Sequence, residues 1–179
     1  MTAEVLSTGV LDKLPMFAEM SVAERQELLE IAQTVEFAPG DVLMHQGQSS
    51  QMLCVVLEGN CRVVKQGERG DLPGIVLAEL NPNDHFGEIS FFHSAPHSAS
   101  VEAITAVRLL RINRSDYDHL IEEGSLAAYK LASNILYEFS GRLRRMGQWV
   151  SELMSSDPVE APVSEWSHFR DKLFDSWNV

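Results

Sequence analysis

Cysteine, basic residues and long apolar runs are all scarce in this sequence. Cys54 and Cys61 flank the turn 58–60 without facing each other across it, so we expect two buried thiols rather than a disulfide or a metal pair. No run approaches the roughly 18 apolar residues of a membrane span, and the N-terminus lacks the basic flank and apolar core of a signal peptide. These features predict a cytoplasmic protein.

The shortage of basic residues makes negatively charged binding partners unfavourable. The chain has 14 Lys+Arg against 26 Asp+Glu, which gives a formal net charge of -12. Such a surface repels nucleic-acid backbones and anionic lipid at long range. We therefore expect no DNA binding by this chain alone.

What is present predicts a single, mainly β domain with flanking helices. Residues 10–33 have a helical pattern that includes a capping box, Ser21 to Glu24, and an apolar face of Val22, Leu28, Leu29 and Ala32. Seven short segments with strand character follow at the spacing of a jelly roll (double-stranded β-helix). They are 35–37, 42–44, 52–57, 61–65, 75–79, 100–103 and 107–112. The β roll is thus predicted over 35–113.

The segment 86–101 has the most specific pattern. Gly87 and an acid open a short apolar run, Ile89 to Phe92, which Pro96 separates from the next strand. Glycine permits close backbone approach, and the free N–H groups at the start of a helix can hold a small anion. The pattern predicts a ligand-binding loop, one helical turn, a second loop and a strand.

This segment resembles the phosphate-binding cassette of cyclic-nucleotide-binding domains. The matching residues are Phe86, Gly87, Glu88 and Ile89, followed by Pro96, Ser98, Ala99 and Ser100. Further matches are Leu14 to Phe17, Phe37 to Asp41, Glu58-Gly59 and Asp84, so that the resemblance covers roughly 11–154. It implies a regulatory sensor domain with no cofactor beyond a cyclic nucleotide. We refer to residues 86–101 as the cassette.

The resemblance also implies roles for individual residues. Glu88 would accept the ribose 2'-hydroxyl, and Ser98 with the Ala99 amide would donate to the phosphate. The full candidate set is Phe86, Gly87, Glu88, Ile89, Ser90, His97, Ser98 and Ala99. His97 departs from the family, which has a phosphate-pairing arginine there. An unperturbed imidazole is only about a quarter charged at pH 7, so three functions stay open: weak or acid-dependent binding of cAMP or cGMP, another ligand, or a ligand-silent scaffold.

The C-terminal part of the sequence predicts interactions with proteins. A helix over 125–154 carries an apolar stripe of Ala128, Ala132, Ile135, Phe139, Leu143, Met146, Val150 and Leu153. We expect its distal half to pair with a second subunit in a homodimer; the alternative is that it folds back on its own domain. A linker, 155–163, then precedes an aromatic amphipathic helix, 164–179, that packs either on its own domain or on another protein. Residues 155–179 are fewer than the roughly 50 of a small DNA-binding domain.

An enzymatic function has less support in the sequence. Jelly rolls also host cupin-like metalloenzymes. Their metal sites use an H-x-H pair on one strand, and the six histidines of this sequence do not form such a pair. The sequence contains no nucleophile motif, paired-carboxylate signature or phosphate-binding P-loop. We therefore expect a non-enzymatic protein without a catalytic or metal site.

Overall fold

The computed structural model describes residues 11–12, 14–67 and 74–156. The chain divides into two compact units, 1–138 and 139–179. The described residues of the first unit include a 3-10 turn, Pro15–Phe17, and the helices α1 (Val22–Ile31), α2 (Glu88–Phe92) and α3 (Arg114–Glu122). The last helix, α4 (Leu126–Ser156), starts in the first unit and continues into the second.

The described residues of the first unit form eight strands in two antiparallel sheets. The strands are β1 (Ala32–Phe37), β2 (Val42–Met44), β3 (Met52–Glu58), β4 (Cys61–Lys65), β5 (Ile75–Leu80), β6 (His85–Phe86), β7 (Ser100–Ala103) and β8 (Val107–Asn113). One sheet has the order β1-β8-β3-β6 and the other β2-β7-β4-β5. The predicted jelly roll with flanking helices is confirmed.

The N-terminal helical segment is shorter than predicted. The capping box is present, because Ser21 N donates to Glu24 Oε2 at 2.6 Å and Glu24 N donates to Ser21 Oγ at 3.3 Å. The helix ends at Ile31, however, and residues 32–33 lie in β1 because β8 offers them backbone pairing partners. The prediction that Val22 packs with the apolar face of this helix is also wrong, since Val22 is 62% exposed.

Two apolar cores hold the first unit together. One fills the space between the sheets and includes Cys54, Val56, Cys61 and Phe86. The other lies between the β3–β8 sheet and the helices, where the ring centroids of Phe91 and Tyr117 are 5.2 Å apart. The short helix α2 is therefore fixed on the sheet by its own aromatic residue.

The two cysteines are buried free thiols, as predicted. Burial raises the pKa of Cys54 to about 12 and that of Cys61 to about 11. Both side chains therefore stay protonated at neutral pH and act as small apolar residues.

Helix α4 begins one residue later than predicted and includes Ser155 and Ser156, which had been assigned to the linker. In the first unit its Ala128, Leu131 and Ile135 are buried. In the second unit Phe139 and Leu143 are 40% and 47% exposed. The rest of the linker and the aromatic helix 164–179 lie outside the described residues. Within the described part of the chain, no helix combines the length and apolar character that a membrane span requires.

Candidate ligand-binding site

The cassette begins with a turn that requires glycine. Gly87 has φ of 88°, in the left-handed region, and precedes α2 as its N-cap residue. A Cβ atom at this position would overlap the carbonyl oxygen of Met52 and lie 3.1 Å from Met44 Cε. Gly87 therefore allows the turn to pack directly against the ends of β2 and β3.

The short helix α2 is held by local hydrogen bonds. Phe91 N donates to the Gly87 carbonyl at 2.9 Å, and Ser90 Oγ donates to the same carbonyl at 3.1 Å. Ser90 is buried, Glu88 is partly buried and Ile89 is 53% exposed. Among these predicted site residues, Ser90 thus shapes the turn, while Glu88 and Ile89 are accessible to solvent.

His97 is buried and tied to the loop between β2 and β3. Its side chain is 6% exposed, and a hydrogen bond of 2.6 Å joins its Nε2 to Ser50 Oγ. Its backbone N–H donates to the Gln48 carbonyl, and its carbonyl accepts from Gly47 N, both at 2.9 Å. Burial lowers the pKa of His97, so the imidazole is neutral at pH 7 and supplies no positive charge.

The rest of the second loop contacts strand β4. Ser98 is exposed, and its carbonyl accepts a hydrogen bond of 2.8 Å from Lys65 Nζ. Ala99 is 8% exposed, and Ser100 Oγ accepts from Gln46 N at 3.0 Å. A lysine ammonium therefore lies at the loop that follows His97.

The loop 45–51 contacts both halves of the cassette, namely the glycine turn with α2 and the later loop that contains His97. It bonds to His97 through three residues, as described above, and Gln51 Nε2 donates to the Phe91 carbonyl in α2 at 3.4 Å. The glycine turn packs on Met44 and Met52, which flank this loop. The two cassette halves are therefore supported by one common segment.

Arg114, the first residue of α3, anchors α2 although it lies outside the predicted set of site residues. Its Nη1 donates to the Phe91 carbonyl at 2.8 Å, and its Nε donates to Asp118 Oδ1 at 2.7 Å. The guanidinium carbon lies 5.7 Å from the ring centroids of both Phe91 and Tyr117. Sequence reasoning also missed Ser50 and Lys65, because their cassette partners are 47 and 33 residues away.

Metal ligands do not cluster in the part of the chain that the structure describes. No group of three or more His, Cys, Asp or Glu side chains there could hold a metal ion. The cassette contacts instead involve backbone amides, hydroxyl groups, the Gln51 amide, the Lys65 ammonium and the Arg114 guanidinium. Such groups suit a small anion.

Residues 34–124 match the sequence model of the family described as cyclic nucleotide-binding domain. Among curated proteins, the cAMP-dependent protein kinase regulatory subunit of Schizosaccharomyces pombe is 26% identical over 117 residues, which are 65% of this chain and 27% of the relative. That of Dictyostelium discoideum is 28% identical over 111 residues, which are 62% of this chain and 34% of the relative. The chain thus spans about a quarter to a third of the length of these relatives.

Solved structures share the fold. The Thermus thermophilus catabolite activator protein has a TM-score of 0.68 and 28% identity, covering 78% of this chain and 63% of that one. The N-terminal domain of a Streptomyces coelicolor transcriptional regulator has a TM-score of 0.64 and 29% identity, covering 78% and 95%. A cyclic nucleotide-binding domain from Methylobacillus flagellatus, 18% identical, has a TM-score of 0.71 and covers 87% and 85%. The chain belongs to the cyclic nucleotide-binding domain family.

Proposed function

We propose that this chain is a non-enzymatic regulatory sensor domain that binds cAMP or cGMP weakly through its cassette. The observation that carries the proposal is the state of His97, which is buried, neutral and bonded to Ser50, while the glycine turn beside Met52 is intact. The site thus retains its backbone frame but has no arginine to pair with the phosphate.

The remaining contacts follow the family resemblance. Glu88 would accept the ribose 2'-hydroxyl, and Gly87 and Ile89 would contribute backbone contacts. Ser98, whose side chain is exposed, and the Ala99 amide would donate to phosphate oxygens. Phe86 and Ser90 are buried and would support these groups rather than touch the ligand.

The missing arginine sets the expected affinity. Removing one partner of a buried, hydrogen-bonded charge pair costs on the order of 2–5 kcal/mol. A loss of about 4 kcal/mol changes a micromolar dissociation constant to a millimolar one. We therefore expect binding in the high micromolar to millimolar range, where effects on amide chemical shifts are easily measured.

Titration of the isotope-labelled full chain with cAMP and cGMP, followed by NMR, tests the proposal. Saturable shifts are expected for the amides of Gly87, Glu88, Ile89 and Ala99. Glu88→Ala should weaken binding strongly, whereas Glu123→Ala, at an exposed position after α3, should not. Absence of saturable shifts in the wild type with both nucleotides, each at about 10 mM and thus at least tenfold above the expected dissociation constant, would contradict the proposal.

The second candidate is a ligand-silent scaffold that acts through protein contacts. It is favoured by the exposed Phe139 and Leu143 on α4 and by the hydrogen bonds that hold His97 to the loop 45–51. In this function the helix 125–154 mediates a homodimer, and the segment 164–179, after a linker, contacts a partner protein. Residues 1–154 form the sensor-like domain in either case.

A further inference from the structure

We infer that Lys65 supplies the positive charge that the cassette lacks at His97. The inference rests on the proposed function and identifies the cation of that same site. Lys65 lies outside the cassette and outside the predicted set of site residues, at the end of β4. Its position in the β roll and its contact with the cassette loop support this role.

Strand alternation places Lys65 on the inner face of the roll. Strand β4 pairs with β7 in regular register from Cys61 to Val64, and the register shift in its pairing with β5, between Val63 and Val64, leaves the extra residue on β5. Strand alternation extended by one residue then places Lys65 on the same face as Cys61 and Val63. Cys61 and Val63 pack in the core between the two sheets. Lys65 continues that row at its solvent-open end, where its side chain is exposed.

The ammonium group is already at the cassette. Its Nζ donates to the Ser98 carbonyl at 2.8 Å, next to the hydroxyl and amide that are expected to bind phosphate. An ammonium has three N–H donors on a flexible four-carbon stem, and this contact uses one of them. Lys65 can therefore hold the loop and bind an anion beside it.

Among the described residues, two arginines near the cassette are engaged elsewhere. Arg62, one residue earlier than Val63 and on the opposite face of β4, pairs with Glu102 at 2.8 Å. Arg114 is bonded to the Phe91 carbonyl and to Asp118.

Arg111 faces the core between the sheets, beside its register partner Cys54, and its buried Nε has no hydrogen-bond partner in the described part of the chain. Its Nη2 donates to Gln33 Oε1 at 2.6 Å, in the edge strand β1. The cassette follows β6, which forms the opposite edge of that sheet. β8 and β6 are two strands apart, or about 10 Å.

A lysine in this role predicts a particular binding behaviour. An ammonium is a compact point charge, so it attracts the phosphate without the two parallel hydrogen bonds that an arginine fork provides. Binding should therefore be weak and should depend on ionic strength, because the side chain is exposed.

The test compares Lys65→Met, Lys65→Arg and the matched control Arg62→Met in NMR titrations of the full chain with cAMP. Arg62→Met removes the same charge from the same strand, on the opposite face. We expect Lys65→Met to weaken binding by about tenfold, and Lys65→Arg and Arg62→Met to stay within about threefold of the wild type. Raising the salt from about 50 to about 300 mM should weaken the wild type and Arg62→Met, but hardly affect Lys65→Met.

The possible failures are distinguishable. If the wild type shows no saturable shifts, the proposed function fails and the inference fails with it. If the wild type binds cAMP but Lys65→Met binds equally well, or if Arg62→Met weakens binding as much, only the role of Lys65 is overturned. The same holds if the salt dependence survives in Lys65→Met, because a purely structural lysine would leave it unchanged.

Discussion

Ser50 Oγ lies 2.6 Å from His97 Nε2, and this bond occupies one ring nitrogen of the residue that, by the family resemblance, replaces a phosphate-pairing arginine. His97 as a whole is only 6% exposed to solvent. It therefore acts as a neutral structural residue that fastens the second cassette loop to the loop 45–51.

The first prediction concerns stability and pH. The pKa of His97 is lowered in the folded protein, so below about pH 6.5 the unfolded chain binds this proton first. Neutral His97 therefore makes its full contribution to the free energy of unfolding above about pH 6.5. This contribution is lost as the pH falls toward the pKa of His97 in the folded protein, at no more than about 1.4 kcal/mol per pH unit. In urea unfolding at pH 7.5 and 5.5, His97→Gln should reduce the pH dependence.

The matched control is His119→Gln, because the His119 side chain is 76% exposed. The pH dependence should fall by more in His97→Gln than in His119→Gln. An equal pH dependence in His97→Gln and the wild type would show that His97 is not held neutral by burial.

The second prediction concerns the cassette turn. Gly87→Ala places a Cβ atom against the Met52 carbonyl in addition to forcing alanine into a left-handed conformation, so we expect a loss of about 3 kcal/mol or more. Gly124→Ala is the control, since Gly124 has φ of 76° but nothing within 4 Å of the added atom. It should cost about 1–2 kcal/mol. If both variants lose the same free energy of unfolding in denaturant titrations, the close packing of Gly87 against Met52 does not contribute to stability.

The third prediction concerns the anchor of α2. Arg114→Met removes the hydrogen bond to the Phe91 carbonyl, the ion pair with Asp118 and the contact with two aromatic rings, and should cost about 1–3 kcal/mol of unfolding free energy. Asp118→Asn removes only the part-exposed ion pair and should cost no more than about 1 kcal/mol. A larger loss in Asp118→Asn than in Arg114→Met would refute this ranking.

The fourth prediction concerns self-association. If the exposed apolar residues of α4 form a dimer, Leu143→Glu should shift the protein toward monomer in light scattering coupled to size-exclusion chromatography. Gln148→Glu, an exposed polar position on the same helix, should have no effect. A wild-type protein that is monomeric at high concentration would exclude the proposed homodimer.

Local signals predicted most of the strands, and non-local contacts explain the errors. Glycine, proline and asparagine bound the strands closely enough that 42–44, 61–65 and 100–103 were predicted with their observed bounds. β6 was missed because the two residues His85 and Phe86 carry no periodicity. The N-terminal helix was predicted to extend to Gln33, which is wrong, because this residue pairs with the distant strand β8 and the local sequence does not show that pairing.

The candidate site shows the same limit. Sequence pattern predicted a ligand-binding cassette, a turn that depends on Gly87 and a departure from the family at His97; of these, the left-handed turn at Gly87 is confirmed. It did not indicate that His97 is buried against Ser50 or that Lys65 contacts Ser98, because each pair is joined only by folding. The charge distribution of the site therefore required the structure.

The proposal that His97 weakens cyclic nucleotide binding by replacing an arginine is tested most directly by calorimetry. The wild type and His97→Arg are titrated with cAMP and cGMP at pH 6 and pH 8. Weak binding by the wild type and an affinity at least about tenfold higher for His97→Arg are expected, because arginine stays charged at both pH values. Tight wild-type binding that is equal at both pH values, with no gain in His97→Arg, would contradict the proposed weak cyclic nucleotide site.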